Sequence, residues 1–164
     1  WDERGIALPR MEWSTKPGGG LSLTRVLPNK VALSASAEPR SNGLSMEFRI
    51  ENGSAESITG LDVQMCVMLK SLSGFERCTN DNKLFQPPFS AAHDSRGDRW
   101  IITAWENCRR AWGNASCPCL HSDPRVEDCP PGESRSVRGW VSFYEGREIQ
   151  AELRRISREV FEKR

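Results

Sequence analysis

The stretch Phe89 to Trp105, FSAAHDSRGDRWIITAW, decides the fold class. Two runs suited to an extended chain, the second being Trp100 to Trp105, flank the turn-forming pentapeptide Asp94-Ser95-Arg96-Gly97-Asp98, which predicts a hairpin with a five-residue loop. Glycine at position 97 suits a residue that must take positive φ. Arg96-Gly97-Asp98 has the composition of a cell-adhesion tripeptide, but a polar turn demands the same residues.

Period-two patterns continue on both sides of this hairpin. Leu21, Leu23 and Arg25 alternate with Ser22 and Thr24, and Leu44, Met46, Phe48 and Ile50 oppose Ser45, Glu47 and Arg49. Both segments read as half-buried strands. After the Asn52-Gly53 turn, Ile58 to Lys70 reads as one long strand, with Val63, Met65, Val67 and Leu69 on one face. A last strand, Ser136 to Tyr144, places Val137, Val141 and Phe143 opposite Trp140 and Tyr144. From Glu148 to Lys163 the period changes, and Ile149, Leu153, Ile156 and Val160 recur at helical spacing.

Many short strands with no helix between them predict a mainly β chain, an antiparallel β-sandwich of the immunoglobulin-like or jelly-roll-like kind. Pro9, Pro17 and Gly18-Gly19-Gly20 make residues 1–20 an extended arm. The sandwich then occupies 21–147 and an amphipathic helix 148–164. That helix is expected to cover the domain's own sheet.

The 164 residues suffice for one domain with a sizeable core, and a composition of 37% hydrophobic and 27% charged residues fits a globular chain. With 23 basic against 22 acidic residues there is no basic excess to attract nucleic acid. The most apolar segment, Val63 to Leu69, is far shorter than the roughly 18 residues of a membrane helix, so insertion is not expected. The chain starts at Trp1 without an apolar leader, which suggests a mature form or a part of a larger polypeptide.

Six cysteines, Cys66, Cys78, Cys108, Cys117, Cys119 and Cys129, make an even set of the kind kept as disulfides outside the cytosol, in a secreted or periplasmic setting. The sequons at Asn52 and Asn114 are compatible with that compartment. The preferred local bridge joins Cys66 to Cys78, and Cys108 and Cys129 are candidate partners for Cys117 and Cys119.

The segment CPCLHSDP, Cys117 to Pro124, offers an alternative. If it is extended, Cys117, Cys119, His121 and Asp123 share one face. Cys117, Cys119 and His121 would then suit zinc, although one C-x-C without a second pair departs from the usual structural-zinc spacing. A hydrolase using His121 and Asp123 is the third reading. Asp123, Glu127 and Asp128, however, lie in turn-forming sequence, and the chain has no glycine-rich phosphate loop, HExxH helix or GxSxG elbow.

Four of the six tryptophans fall between positions 100 and 140. Indole faces stack on sugar rings and anchor protein interfaces. Trp100 is expected to pack with Ile102, while Trp105, Trp112 and Trp140 are expected near a surface fringed by Arg109, Asn114, His121 and Asp123. The sequence therefore points to a non-catalytic binding module without a cofactor, presenting a disulfide-stapled, Trp- and Arg-rich surface to a protein partner or a carbohydrate.

Overall fold

The computed structural model describes residues 5–162, an antiparallel β-sandwich with a C-terminal helix. The outermost residues of the predicted arm and helix, 1–4 and 163–164, lie outside the described residues. The strands are β1 (Ser14–Thr15), β2 (Leu21–Val26), β3 (Val31–Arg40), β4 (Gly43–Asn52), β5 (Cys66–Met68), β6 (Lys83–Gln86), β7 (Phe89–His93), β8 (Arg99–Trp105), β9 (Cys108–Trp112), β10 (Cys119–Pro124) and β11 (Ser134–Glu145). Helix α1 spans Ile149–Ile156 and widens into a π-helical segment, Ser157–Glu162.

Eight strands form a large sheet in the order β1-β2-β3-β4-β11-β8-β7-β6, and β5-β10-β9 form a small one. The late strand β11 inserts between β4 and β8, which places it near the middle of the large sheet and explains its length and burial. Hairpin β7–β8 forms as the sequence predicts: Phe89 pairs with Ala104 and His93 with Trp100, with Gly97 at φ +79° in the turn. Asp94 organises that turn by accepting from the Gly97 amide (3.0 Å) and from Arg99 Nε (2.9 Å). Burial opposes ionisation of Asp94, but these donors outweigh it and hold the carboxyl down at about 2.

Alternation along β8 sends side chains into two separate cores. On one face, Ile102 and Ala104 join Phe89, Ala91, Trp140, Leu153 and Ile156 beneath the helix, with Trp100 and Tyr144 packed at the margin. The apolar stripe of α1 thus covers the domain's own sheet, and burying each large aliphatic side chain stabilises by about 1.5–3 kcal/mol. Arg138 secures the far end of the helical segment, donating to the carbonyls of Val160 (3.4 Å) and Phe161 (3.3 Å), where a cation also suits the negative end of the peptide dipoles. On the opposite face, Ile101 and Ala92 meet Leu69, Phe75 and Leu120 under the small sheet. A third cluster holds Val31, Ile50, Trp105, Val126, Cys129 and Val137.

Three expectations are corrected. Ile58 to Lys70 is not one strand: only Cys66–Met68 is regular, and the rest makes isolated bridges, Ile58 to Cys129 and Asp62 to Arg125. The break has a local cause, because the Met65 amide donates to the Asp123 carboxylate (3.0 Å) rather than continuing a ladder. Phe143 does not share the burial of Val137; it is 63% exposed, because the small sheet covers Ile101 but not its neighbour Phe143. Trp105 and Trp140 are not near a surface, being 6% and 3% exposed in two different cores. Trp105 lies over Gly139, where an added Cβ would meet the indole at 2.5 Å, and Trp140 lies over Gly43. Glycine on the neighbouring strand makes the space that each indole fills.

Candidate functional site

The small sheet builds its site on the face turned away from the large sheet. Central strand β10 points Leu120 and Ser122 inward: Leu120 enters the apolar cluster, and Ser122 Oγ donates to the Pro88 carbonyl (2.7 Å) and accepts from the Trp105 amide (3.0 Å). Its alternate residues, Cys119, His121 and Asp123, therefore share the other face, as the sequence pattern predicts. Register then supplies their neighbours. His121 lies opposite Cys66 on β5 and opposite Trp112 on β9, while Asp123 lies opposite Arg110.

These pairings create a layered stack. The Trp112 ring lies on His121 with centroids 4.1 Å apart and planes 19° apart, and the Arg110 guanidinium lies 4.3 Å from the Trp112 ring centroid. A cation over an indole face gains from the ring's quadrupole. Asp123 binds the layers together: Oδ2 accepts from Trp112 Nε1 (2.6 Å) and Arg110 (3.2 Å), and Oδ1 accepts from the Met65 amide (3.0 Å). His121 is 4% exposed although it faces outward, because this stack roofs it.

Beside the His121 ring lies a cluster of sulfur. Cys119 Sγ is 3.2 Å from His121 Nε2, and the Cys66 and Cys119 sulfurs and a His121 ring nitrogen all lie within 4.8 Å of one another. Cys117 adjoins Cys119, and its thiol lies 3.3 Å from the Met68 sulfur. Burial, with the adjoining Cys119 and Cys117 sulfurs and the Asp123 carboxylate, pushes the Cys66 thiol up to about 11, and burial beside Cys119 raises Cys117 as well. Burial lowers His121 more than the Asp123 carboxylate raises it, so its imidazole is neutral near pH 7.

The disulfide expectation is corrected here: all six cysteines are free thiols. Cys66 faces Cys119 rather than Cys78, while the nearby sulfur that bears on Cys117 besides Cys119 is that of Cys78. Cys129 cannot serve Cys117 or Cys119, since it lies in another core and donates to the Glu133 carbonyl (3.3 Å). Cys108 lies at the far end of β9, opposite Pro124.

No family model matches the chain, and no curated protein matches it in sequence. Solved structures do match it in shape. The Slr1438 protein of Synechocystis sp. PCC 6803 aligns with a TM-score of 0.52 at 14% identity, covering 82% of this chain and 66% of that one. A protein designated a kojibiose phosphorylase, from the human microbiome, gives 0.55 at 9% identity over 85% of this chain. Heparan sulfate lyase HepC of Pedobacter heparinus gives 0.52 at 12% identity over 84%. The likeness is one of fold. This chain spans 20% of the phosphorylase and 22% of the lyase, so it corresponds to one β-rich part of each.

Outside the stack, Asp62, Val63, Gln64, Arg109, Arg110 and Asp123 line an open cleft of about 490 Å³. Arg125 grips Asp62 through two bonds (2.6 and 2.8 Å), and Arg109 approaches the same carboxylate at 3.5 Å. These contacts hold Asp62 below its ordinary carboxylate value, led by the hydrogen bond from Arg125. Of the surface residues read from sequence, Arg109 and Asp123 line this cleft and Trp112 lies behind it. Trp105 and Trp140 do not contribute, and Asn114 serves its own loop, its side chain accepting from the Ser116 amide (2.8 Å). His121 stacks on Trp112 and the Arg110 guanidinium lies 4.3 Å from its ring centroid, so the indole already has partners within the protein. The His121 and Asp123 pair, 3.6 Å apart, is buried, and both Asp123 oxygens are already engaged. Gln64 and Asp62 were missed in the sequence, because neither carries a motif and only the irregular 62–65 segment brings them to β9.

Proposed function

We propose that this chain is a non-catalytic, extracytoplasmic binding module that takes a carbohydrate in the cleft between residues 62–64 and β9. The observation that carries the reading is the cleft's lining: the Gln64 carboxamide and the Arg109 and Arg110 guanidinium groups, the latter two held by Asp62 and Asp123, line a concave space of about 490 Å³. Such planar groups bind vicinal hydroxyls in pairs, and a small number of placed polar groups gives orientation and specificity. The β-rich neighbours whose names refer to kojibiose and heparan sulfate support a sugar over a protein partner as the first class to test. Hydrogen bonding, not indole stacking, holds the ligand in this reading, since His121 and Arg110 already pack on Trp112.

Calorimetric titration against neutral and sulfated oligosaccharides tests it. Binding of at least one oligosaccharide is expected, with Arg109→Ala and Gln64→Ala each weakening it about tenfold or more, the loss of one hydrogen bond with charged or well-placed partners. Heat signals absent across both classes, or a signal indifferent to Arg109→Ala, would sink the cleft as a glycan site.

A further inference from the structure

We infer that Cys66, Cys117, Cys119 and His121 form a binding site for one thiophilic d10 cation, zinc(II) or copper(I), beside the His121–Trp112 stack. This site is independent of the glycan reading. Its donors come from separate parts of the chain: Cys66 from β5, Cys119 and His121 from β10, and Cys117 from the turn that precedes β10. Ligands at the usual 2.0–2.3 Å from such an ion lie about 3.5–3.8 Å apart in a tetrahedron. Cys119 and His121 are already 3.2 Å apart, and Cys66 lies within 4.8 Å of both, so small side-chain rotations bring these three to ligand spacing; Cys117, which adjoins Cys119, is the fourth donor.

The surroundings are those a metal site needs. Imidazole Nε2 faces the sulfurs, whereas Nδ1 faces the Asp123 carboxylate at 3.6 Å, the arrangement in which a carboxylate behind a ligating histidine fixes its ring and raises its basicity. Trp112 restricts the same ring from above. Three thiolates and one neutral imidazole around a divalent ion carry a net negative charge, and an ammonium stands near to offset it. Lys83 Nζ is anchored by the carbonyls of Arg77 and Cys78 (3.1 Å each) and of Thr79, and it lies in the field of Cys119 and Cys78. The thioether of Met68, 3.3 Å from Cys117, adds a soft donor that would favour copper(I). Binding is a ligand exchange in which each thiol loses its proton to solvent as its sulfur bonds the ion.

The test uses the whole chain, reduced and kept without oxygen, titrated with cobalt(II) as a spectroscopic probe. Strong visible absorption from tetrahedral thiolate-bound cobalt, saturating at one ion per chain, is expected. Zinc(II) and copper(I), each competed against a chromophoric chelator, separate the two occupants. Cys119→Ser and His121→Gln should abolish the absorption, the exposed Cys66→Ser should weaken binding at least 100-fold, and Asp123→Asn should weaken it about 10–100-fold through His121. Cys108→Ser, outside the cluster, should leave it unchanged; circular dichroism of each variant shows that the fold persists. Absence of cobalt absorption in the folded wild type overturns the site, as does full absorption in Cys119→Ser. Alkylation of the chain as isolated provides an independent measurement. Labelling of Cys66 and Cys119 only after chelation supports the site, whereas labelling only after reduction identifies a disulfide and overturns it.

Discussion

The two sides of this sandwich are held together by different physics. Under α1, Leu153 and Ile156 press on Ile102, Ala104 and Trp140 in an apolar layer where any group of the right size and shape stabilises. On the outer face of the small sheet, His121, Asp123, Trp112 and Arg110 are fixed by directed bonds and ring stacking, and losing Asp123 would leave the Trp112 Nε1 and Met65 N–H groups unpaired. The contrast teaches where tolerance to substitution ends. The helix side should respond to lost volume, and the site side to lost hydrogen bonds.

The largest effect should come from emptying the apolar layer. Leu153→Ala is expected to cost about 2–5 kcal/mol in denaturant unfolding, and a loss near zero would mean that α1 does not stay on the sheet. Replacing Trp112 by Phe keeps an aromatic ring over His121 but removes the donor to Asp123. Loss of a hydrogen bond to a charged group predicts about 1.5–3 kcal/mol, so a neutral result would show the stack to be held by ring contact alone. Gly139→Ala, which drives a methyl into Trp105, should cost about 1–3 kcal/mol by overpacking, read from the same unfolding curves.

The smallest effect depends on pH. The folded-state value of Asp94, about 2, lies below its ordinary 3.8, so the folded protein takes up this proton less readily than the unfolded chain. Its contribution is present above about pH 3.8 and is lost as pH falls towards 2. Compared with Asp94→Asn, the wild type should be more stable at pH 5–7, and the gap should close on acidification; a gap that widens in acid would contradict the assignment.

Legibility followed the same division. The β7–β8 hairpin, the alternation of Met46, Phe48 and Ile50, and the stripe of Ile149, Leu153 and Ile156 could be read because apolar period is written locally. Strand β3 passed unread because Val31 to Ala37 alternates small residues, whose burial contrast is weak, and β9 did so because CRRAW has almost no apolar side. The shared face of Cys119, His121 and Asp123 was visible in their spacing. Cys66 and Trp112 were not visible as its neighbours, since only strand register sets them opposite His121. Indole exposure failed for a related reason: nothing near Trp105 or Trp140 announces that Gly139 or Gly43 on the adjoining strand makes room for it.

By itself the order of residues determined that this chain is a β-sandwich closed by an amphipathic helix, because periods of two and of 3.6 select secondary structure and the face it buries. Only the tertiary structure decided that β5 and β9 flank β10, that the sulfurs gather instead of pairing as bridges, and that a buried imidazole lies beneath a tryptophan and an arginine. Those outcomes depend on which strands become neighbours and in what register, and such long-range pairing is fixed when the whole core closes, not within any one segment.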